Sequence, residues 1–108
     1  MSRAILKLPR AEADLIGCYA YIGERTGLES ADRFLVAVER TLVLLAKSPG
    51  IGAPHQSNDP RLAGLRAFPV SKFKRYLLFY QAYDDRTEPV RVLHGARDIR
   101  NMLDLEGD

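Results

Sequence analysis

The chain is poor in the residues that usually announce a chemistry. Its one cysteine, Cys18, excludes an internal disulfide framework and suits a reducing compartment. It has two histidines, His55 and His94, and neither has a second His or Cys at metal-ligand spacing. No metal site and no cofactor are therefore expected. A glycine-rich phosphate loop is missing, because Gly50-x-Gly52 follows a helical pattern rather than a strand. Strong charge is missing too. Sixteen Lys and Arg against fourteen Asp and Glu leave a formal +2, which does not by itself predict nucleic-acid binding. No apolar run reaches the length of a membrane span, and no basic-plus-apolar leader precedes a cleavage site. The expectation is a cytoplasmic protein without membrane contact. There are no repeats and no low-complexity tract.

What remains is an ordinary globular composition, 46% hydrophobic and 28% charged, in a chain of 108 residues. That length predicts one domain, 1–108. Arg3 to Leu8 alternates as a short strand, at a sheet edge given its two cations. Pro9 stops it, and a helix from about Arg10 to Arg25 follows, with Ala11, Leu15, Cys18, Tyr19 and Ile22 on its core side. Gly27 ends that helix. A second runs from about Leu28 to Lys47, with a core stripe of Ala31, Phe34, Leu35, Val38, Leu42 and Leu45. So short a link predicts an antiparallel helical hairpin.

Gly50 to Ala63 reads as a long loop. Leu65 to Val70 is the next strand, with Pro69 marking an edge or a strand end. Ser71-Lys72-Phe73-Lys74 is a basic turn into a hairpin whose first strand is Arg75 to Tyr83. Asp84 to Glu88 forms the turn, Pro89 opens the returning strand, and Val90, Val92 and His94 share one face of it. Asp98 can cap a short last helix, Ile99 to Leu105. The fold class is α+β: a helical hairpin packed on one face of a mainly antiparallel sheet, in the order βααβββ with a short C-terminal helix. The other sheet face is expected to be largely open, which antiparallel sheets tolerate.

The ordered motifs resemble a known family. They are A-x-A-D-L (Ala11, Ala13, Asp14, Leu15), Y-I (Tyr21, Ile22), A-x-R-F (Ala31, Arg33, Phe34) and L-x-x-x-P-x-x-G (Leu45, Pro49, Gly52). L-R (Leu65, Arg66), F-x-x-Y-L-L-F-Y (Phe73 to Tyr80) and R-V-L-H-G-A-R-D (Arg91 to Asp98) complete the set. Together these resemble the ParE branch of the RelE/ParE toxins of bacterial toxin–antitoxin pairs. The resemblance implies a toxin held inactive by a ParD-type antitoxin, in an assembly of two toxins with two antitoxins or larger. It implies DNA gyrase as the target, growth arrest as the outcome and plasmid stabilisation as a setting. It also implies inhibition by binding rather than by enzyme chemistry.

Three groups of side chains are candidates for function. His94 and Arg97, beside Asp98 and with Lys72, Lys74 and Arg75, could act as acid–base and phosphate groups, as in the RelE-type ribosome-dependent mRNA endonucleases of the wider family. The plainer reading is a core histidine and a strand-to-helix junction. Arg66, Lys72, Lys74 and Arg75 could contact an acidic target surface, or be a solvated turn. Finally, both helices carry apolar residues away from their core stripes. These are Ala13, Ile16 and Ala20 on the first, and Val36 and Val43, with Ala37, Leu44 and Arg40 between, on the second. Scattered surface apolar residues need no explanation. The functional reading is a docking surface for an amphipathic antitoxin segment, formed by Ala13, Ile16, Ala20, Val36, Arg40 and Val43.

Overall fold

The computed structural model describes residues 4–95. Strand β1 (Ala4–Ile5) leads into helix α1 (Pro9–Thr26) and helix α2 (Leu28–Lys47). Strands β2 (Ala53–Pro54), β3 (Arg66–Val70), β4 (Phe73–Ala82) and β5 (Arg86–His94) follow. They form a five-stranded sheet in the order β1-β5-β4-β3-β2. The β2–β3, β3–β4 and β4–β5 pairings are antiparallel, and only β1 runs parallel to its neighbour, β5. The α+β class and the helical hairpin on one sheet face are as expected. The expected last helix, Ile99 to Leu105, lies outside the described residues.

The helices begin and end where local chemistry dictates. Pro9 opens α1, where its missing N–H costs nothing. Gly27 closes it at φ 99°, a conformation that an L side chain would strain, and the next residue already belongs to α2. The Tyr19 hydroxyl donates to Asp32 across the hairpin at 2.8 Å. Ala11, Cys18 and Ile22 of α1 join Ala31, Phe34, Val38, Leu42 and Leu45 of α2 in the buried layer. The helical layer meets Val70, Tyr76, Leu78, Tyr80 and Val92 of the sheet. Each fully buried Leu or Phe contributes about 1.5–3 kcal/mol from its area alone.

Beyond the basic turn, which shrinks to Ser71 and Lys72 because Phe73 and Lys74 already belong to β4, four expectations change. First, residues 50–63 are not a plain loop, because Ala53 and Pro54 pair with Ala67 and Arg66 as a second edge strand. The segment before it is latched. The buried Tyr80 hydroxyl accepts the Gly52 N–H at 2.9 Å and donates to Pro49 O at 2.7 Å. Arg66 Nη1 donates to Gly50 O at 3.3 Å and to Gly52 O at 2.6 Å. A Cβ at Gly52 would collide with the Tyr80 ring, so glycine is required by this close approach.

Second, the hairpin turn is shorter than its polar composition suggests. β5 begins at Arg86, whose Nε donates to Glu88 at 2.6 Å, while Thr87 between them is fully buried. Third, Pro89 lies inside β5 rather than at its start. The register shifts between Phe79 and Tyr80, whose partners are Arg91 and Pro89, so Val90 is the extra residue of a bulge. A missing N–H is tolerated there.

Fourth, the bulge carries Val90 away from the Val92 face, and the second sheet face is not open. Leu65, Phe79, Val90 and Leu93 form a separate buried cluster, flanked by Leu8, Leu62, Ala67 and Leu77. The His55 ring packs edge-on against Phe79 at 5.2 Å. The chain between β2 and β3, including a 3-10 turn at Pro60–Leu62, thus covers apolar sheet surface on the face away from α1 and α2.

The edge position of β1 is as expected, and its extended run continues past the strand. Leu6 N–H donates to Thr87 O and Leu8 N–H to Pro89 O, both at 3.0 Å. Where the chain turns into α1, a side chain takes over. Asp14 Oδ2 accepts the Val92 N–H at 2.9 Å, and the same carboxylate receives Arg91 Nε at 2.7 Å and Nη2 at 3.2 Å.

Candidate protein-binding surface

The outer face of α2 carries apolar side chains that no other described element covers fully. Val36 is 50% exposed, Val43 46% and Leu44 45%. Leu35, Val36, Glu39, Arg40 and Val43 line a shallow depression of about 440 Å³. On α1, Ala13 and Ala20 are exposed and Ile16 is 73% exposed. All six residues expected to face an antitoxin therefore reach solvent, but only the three on α2 line this depression. Ala37, read from the helical wheel as part of the same outer face, is instead buried beside the basic turn.

That turn is held against α2 by one buried threonine. Thr41 Oγ1 donates to Ala37 O at 2.7 Å within the helix and accepts the Ser71 N–H at 3.0 Å. The tether brings α2 and the β3–β4 connection to the two sides of a second depression of about 500 Å³. Its lining includes Asp32, Arg33, Val36, Arg40, Lys72 and Phe73. Arg40 and Val36 belong to both depressions, so the apolar groove and the basic turn are continuous. The sequence alone assigns them to different partners. Spacing could not have joined them, because the contact depends on a bond from Thr41 to a residue thirty positions away.

Lys72 sits at the centre of this arrangement. Among the described non-glycine residues it alone has a positive φ, 67°. For a residue with a Cβ, left-handed backbone costs roughly 1–2 kcal/mol, and such strain persists where the surroundings impose it. Lys72, Lys74 and Arg75 are all exposed. The ion pairs among the described residues are Lys7–Glu39, Arg61–Asp59, Arg86–Asp85, Arg86–Glu88 and Arg91–Asp14. None engages Arg33, Arg40, Lys72, Lys74 or Arg75. Arg66 stands apart from this group, at the opposite end of β3, with its guanidinium on the Gly50 and Gly52 carbonyls.

His94 is half-buried and faces Tyr76 across the β4–β5 ladder, with the two rings edge-on at 5.0 Å. Antiparallel pairing puts the end of β5 beside the start of β4. His94 therefore lines a depression of about 440 Å³ with Lys72, Phe73, Lys74, Arg75 and Tyr76. The sequence offers these cations with His94 as one possible nuclease set, and the β4–β5 register is what brings them together. Arg97 and Asp98, the other members of the expected acid–base group, lie outside the described residues.

Residues 5–99 match the family model described as ParE toxin of type II toxin-antitoxin system, parDE. A curated relative, Toxin ParE1 of Caulobacter vibrioides, is 31% identical over 94 residues, covering 87% of this chain and 91% of the relative. Among solved structures, the chromosomal ParDE TA system from P. aeruginosa aligns with a TM-score of 0.68. It covers 86% of this chain and 96% of that chain at 17% identity, which speaks for the fold.

Proposed function

The chain belongs to the ParE toxins of type II toxin–antitoxin systems, and from that premise we propose that it arrests growth by binding DNA gyrase and is neutralised by a ParD-type antitoxin. The antitoxin lays an amphipathic segment over the outer helix faces, with Ile16, Val36 and Val43 as anchors and Ala13 and Ala20 allowing close approach. Arg40 receives the polar rim of that segment. The target is met by Lys72, Lys74 and Arg75. In this reading the toxin works without chemistry of its own, in the cytoplasm, and assembles as two toxins with two antitoxins or larger. Among the described residues no helix is long and apolar enough to cross a membrane.

The observation that carries the reading is the apolar groove on α2, exposed among the described residues and continuous with a cluster of cations that make no ion pair with them. A monomer gains nothing by leaving Val36, Val43 and Leu44 in water. Each is already about half covered, so burying two of them under a partner is worth about 1 kcal/mol each, or one to two decades of affinity. Replacing Ile16 or Val43 with Glu is expected to weaken antitoxin binding by at least tenfold with the fold intact, measured by calorimetry and circular dichroism. Unchanged affinity in both variants would remove the helix faces from the interface.

The position of His94 among cations keeps a second reading in view, cleavage of ribosome-bound messages with His94 as the acid–base group. Induction followed by message mapping and a DNA-damage reporter separates the two. Blocked replication with intact messages supports gyrase inhibition, and ribosome-phased cleavage that His94→Ala abolishes supports the nuclease.

A further inference from the structure

Resting on the reading that an antitoxin segment covers α2, we infer that the depression between α2 and the β3–β4 turn is a single seat for a carboxylate, used in turn by antitoxin and target. The antitoxin then neutralises the toxin by occupying the place where Lys72 meets its target.

The seat is built from parts already described. Arg33, Arg40 and Lys72 line it against one carboxylate, Asp32, whose Oδ1 accepts the Tyr19 hydroxyl. Three cations from two separate elements therefore converge on one space, and a shared space with this surplus is complementary to an acidic side chain. The apolar groove leads directly into it through Val36 and Arg40. A helical segment with its apolar stripe on Val36 and Val43 would carry a carboxylate at its edge to Arg40 and Lys72. The backbone adds an independent observation. Glycine would occupy position 72 without strain, yet the chain holds a lysine there at φ 67°. The Thr41–Ser71 bond fixes the turn that presents it.

The test uses the full chain, its cognate antitoxin and three variants. Lys72→Gly removes the charge and relieves the backbone, so the chain folds at least as well as the parent. Arg40→Ala removes the cation on the other side of the seat. Val43→Gln makes the apolar groove polar without placing a charge beside Arg40, one turn away. Lys72→Gly and Arg40→Ala should each weaken antitoxin binding by roughly three- to tenfold at low salt, with a smaller loss at high salt. The double variant should lose less than the product of the two, because both cations hold one carboxylate. Growth arrest at matched expression should fall in Lys72→Gly along with antitoxin affinity. Unchanged antitoxin affinity in Lys72→Gly, or full growth arrest despite weakened antitoxin binding, would overturn the shared seat. If Val43→Gln also bound antitoxin like the parent, the α2 reading itself would fail, an outcome that the charge variants alone cannot produce.

Discussion

Asp14 and Tyr80 are the two residues whose polar atoms fasten distant parts of the chain. The Asp14 carboxylate accepts the Val92 N–H of β5 and neutralises Arg91, with side chains only 17% and 10% exposed. Arg91 Nη1 already has no hydrogen-bond partner among the described residues. Asp14→Ala therefore strands a buried guanidinium and the Val92 N–H together. It should cost about 3 kcal/mol or more, read as a lowered urea midpoint at unchanged m-value. Burial pushes the Tyr80 phenol above its ordinary range, while the Gly52 N–H and the Arg66 charge pull it partly back. A phenol raised in the folded state keeps its proton after the unfolded chain has lost it. Its contribution to stability is thus complete below about pH 10, the unfolded value, and is lost as pH rises through the folded one. Tyr80→Phe should lose about 1–3 kcal/mol at neutral pH, since Gly52 N–H and Pro49 O lose their partner. Its denaturation profile should also flatten between pH 9 and the alkaline limit, measured by thermal melts across that range.

At the scale of elements, the one-residue link between the helices sets the geometry of the hairpin. Gly27→Ala places a Cβ at φ 99°, and a loss of about 1–2 kcal/mol should appear in the melting temperature. The outer-face side chains Ile16, Val36 and Val43 should stay exposed. Both helices were legible in the sequence to within a residue or so, because a 3.6-residue period, Pro9, Gly27 and the Ser48-Pro49-Gly50 stop are local signals. The core stripes were legible for the same reason. The strands were read less well. Ala53 and Pro54 have no strand period of their own and pair only because Tyr80 and Arg66 latch the preceding segment. Thr87 looked like turn chemistry and is core. The bulge at Val90 flips one residue to the other face, which no alternation pattern can foresee. The candidate surface was readable as two separate patches, and the Thr41–Ser71 bond that joins them was not.

For the whole molecule, two buried layers share one sheet. Leu42 belongs to the helix-side layer, and Leu93 to the layer under the chain between β2 and β3. Because β4 and β5 contribute to both, the layers should melt together. Leu42→Ala and Leu93→Ala, each costing about 2–5 kcal/mol, should lower the midpoint of a single transition seen alike by tyrosine fluorescence and far-ultraviolet dichroism. Two separate transitions would show that the second layer folds as an independent unit.

The parallel pairing at the sheet edge also places the molecule in time. Ala4 pairs with Arg86 and Ile5 with Thr87, so the first strand to be made waits for the last. At roughly 5–20 residues per second, that wait is on the order of ten seconds. The helical hairpin is complete in sequence at Lys47, before any of β3, β4 or β5 has been synthesised. During translation, then, the face that carries Val36 and Val43 exists earlier than the turn that carries Lys72.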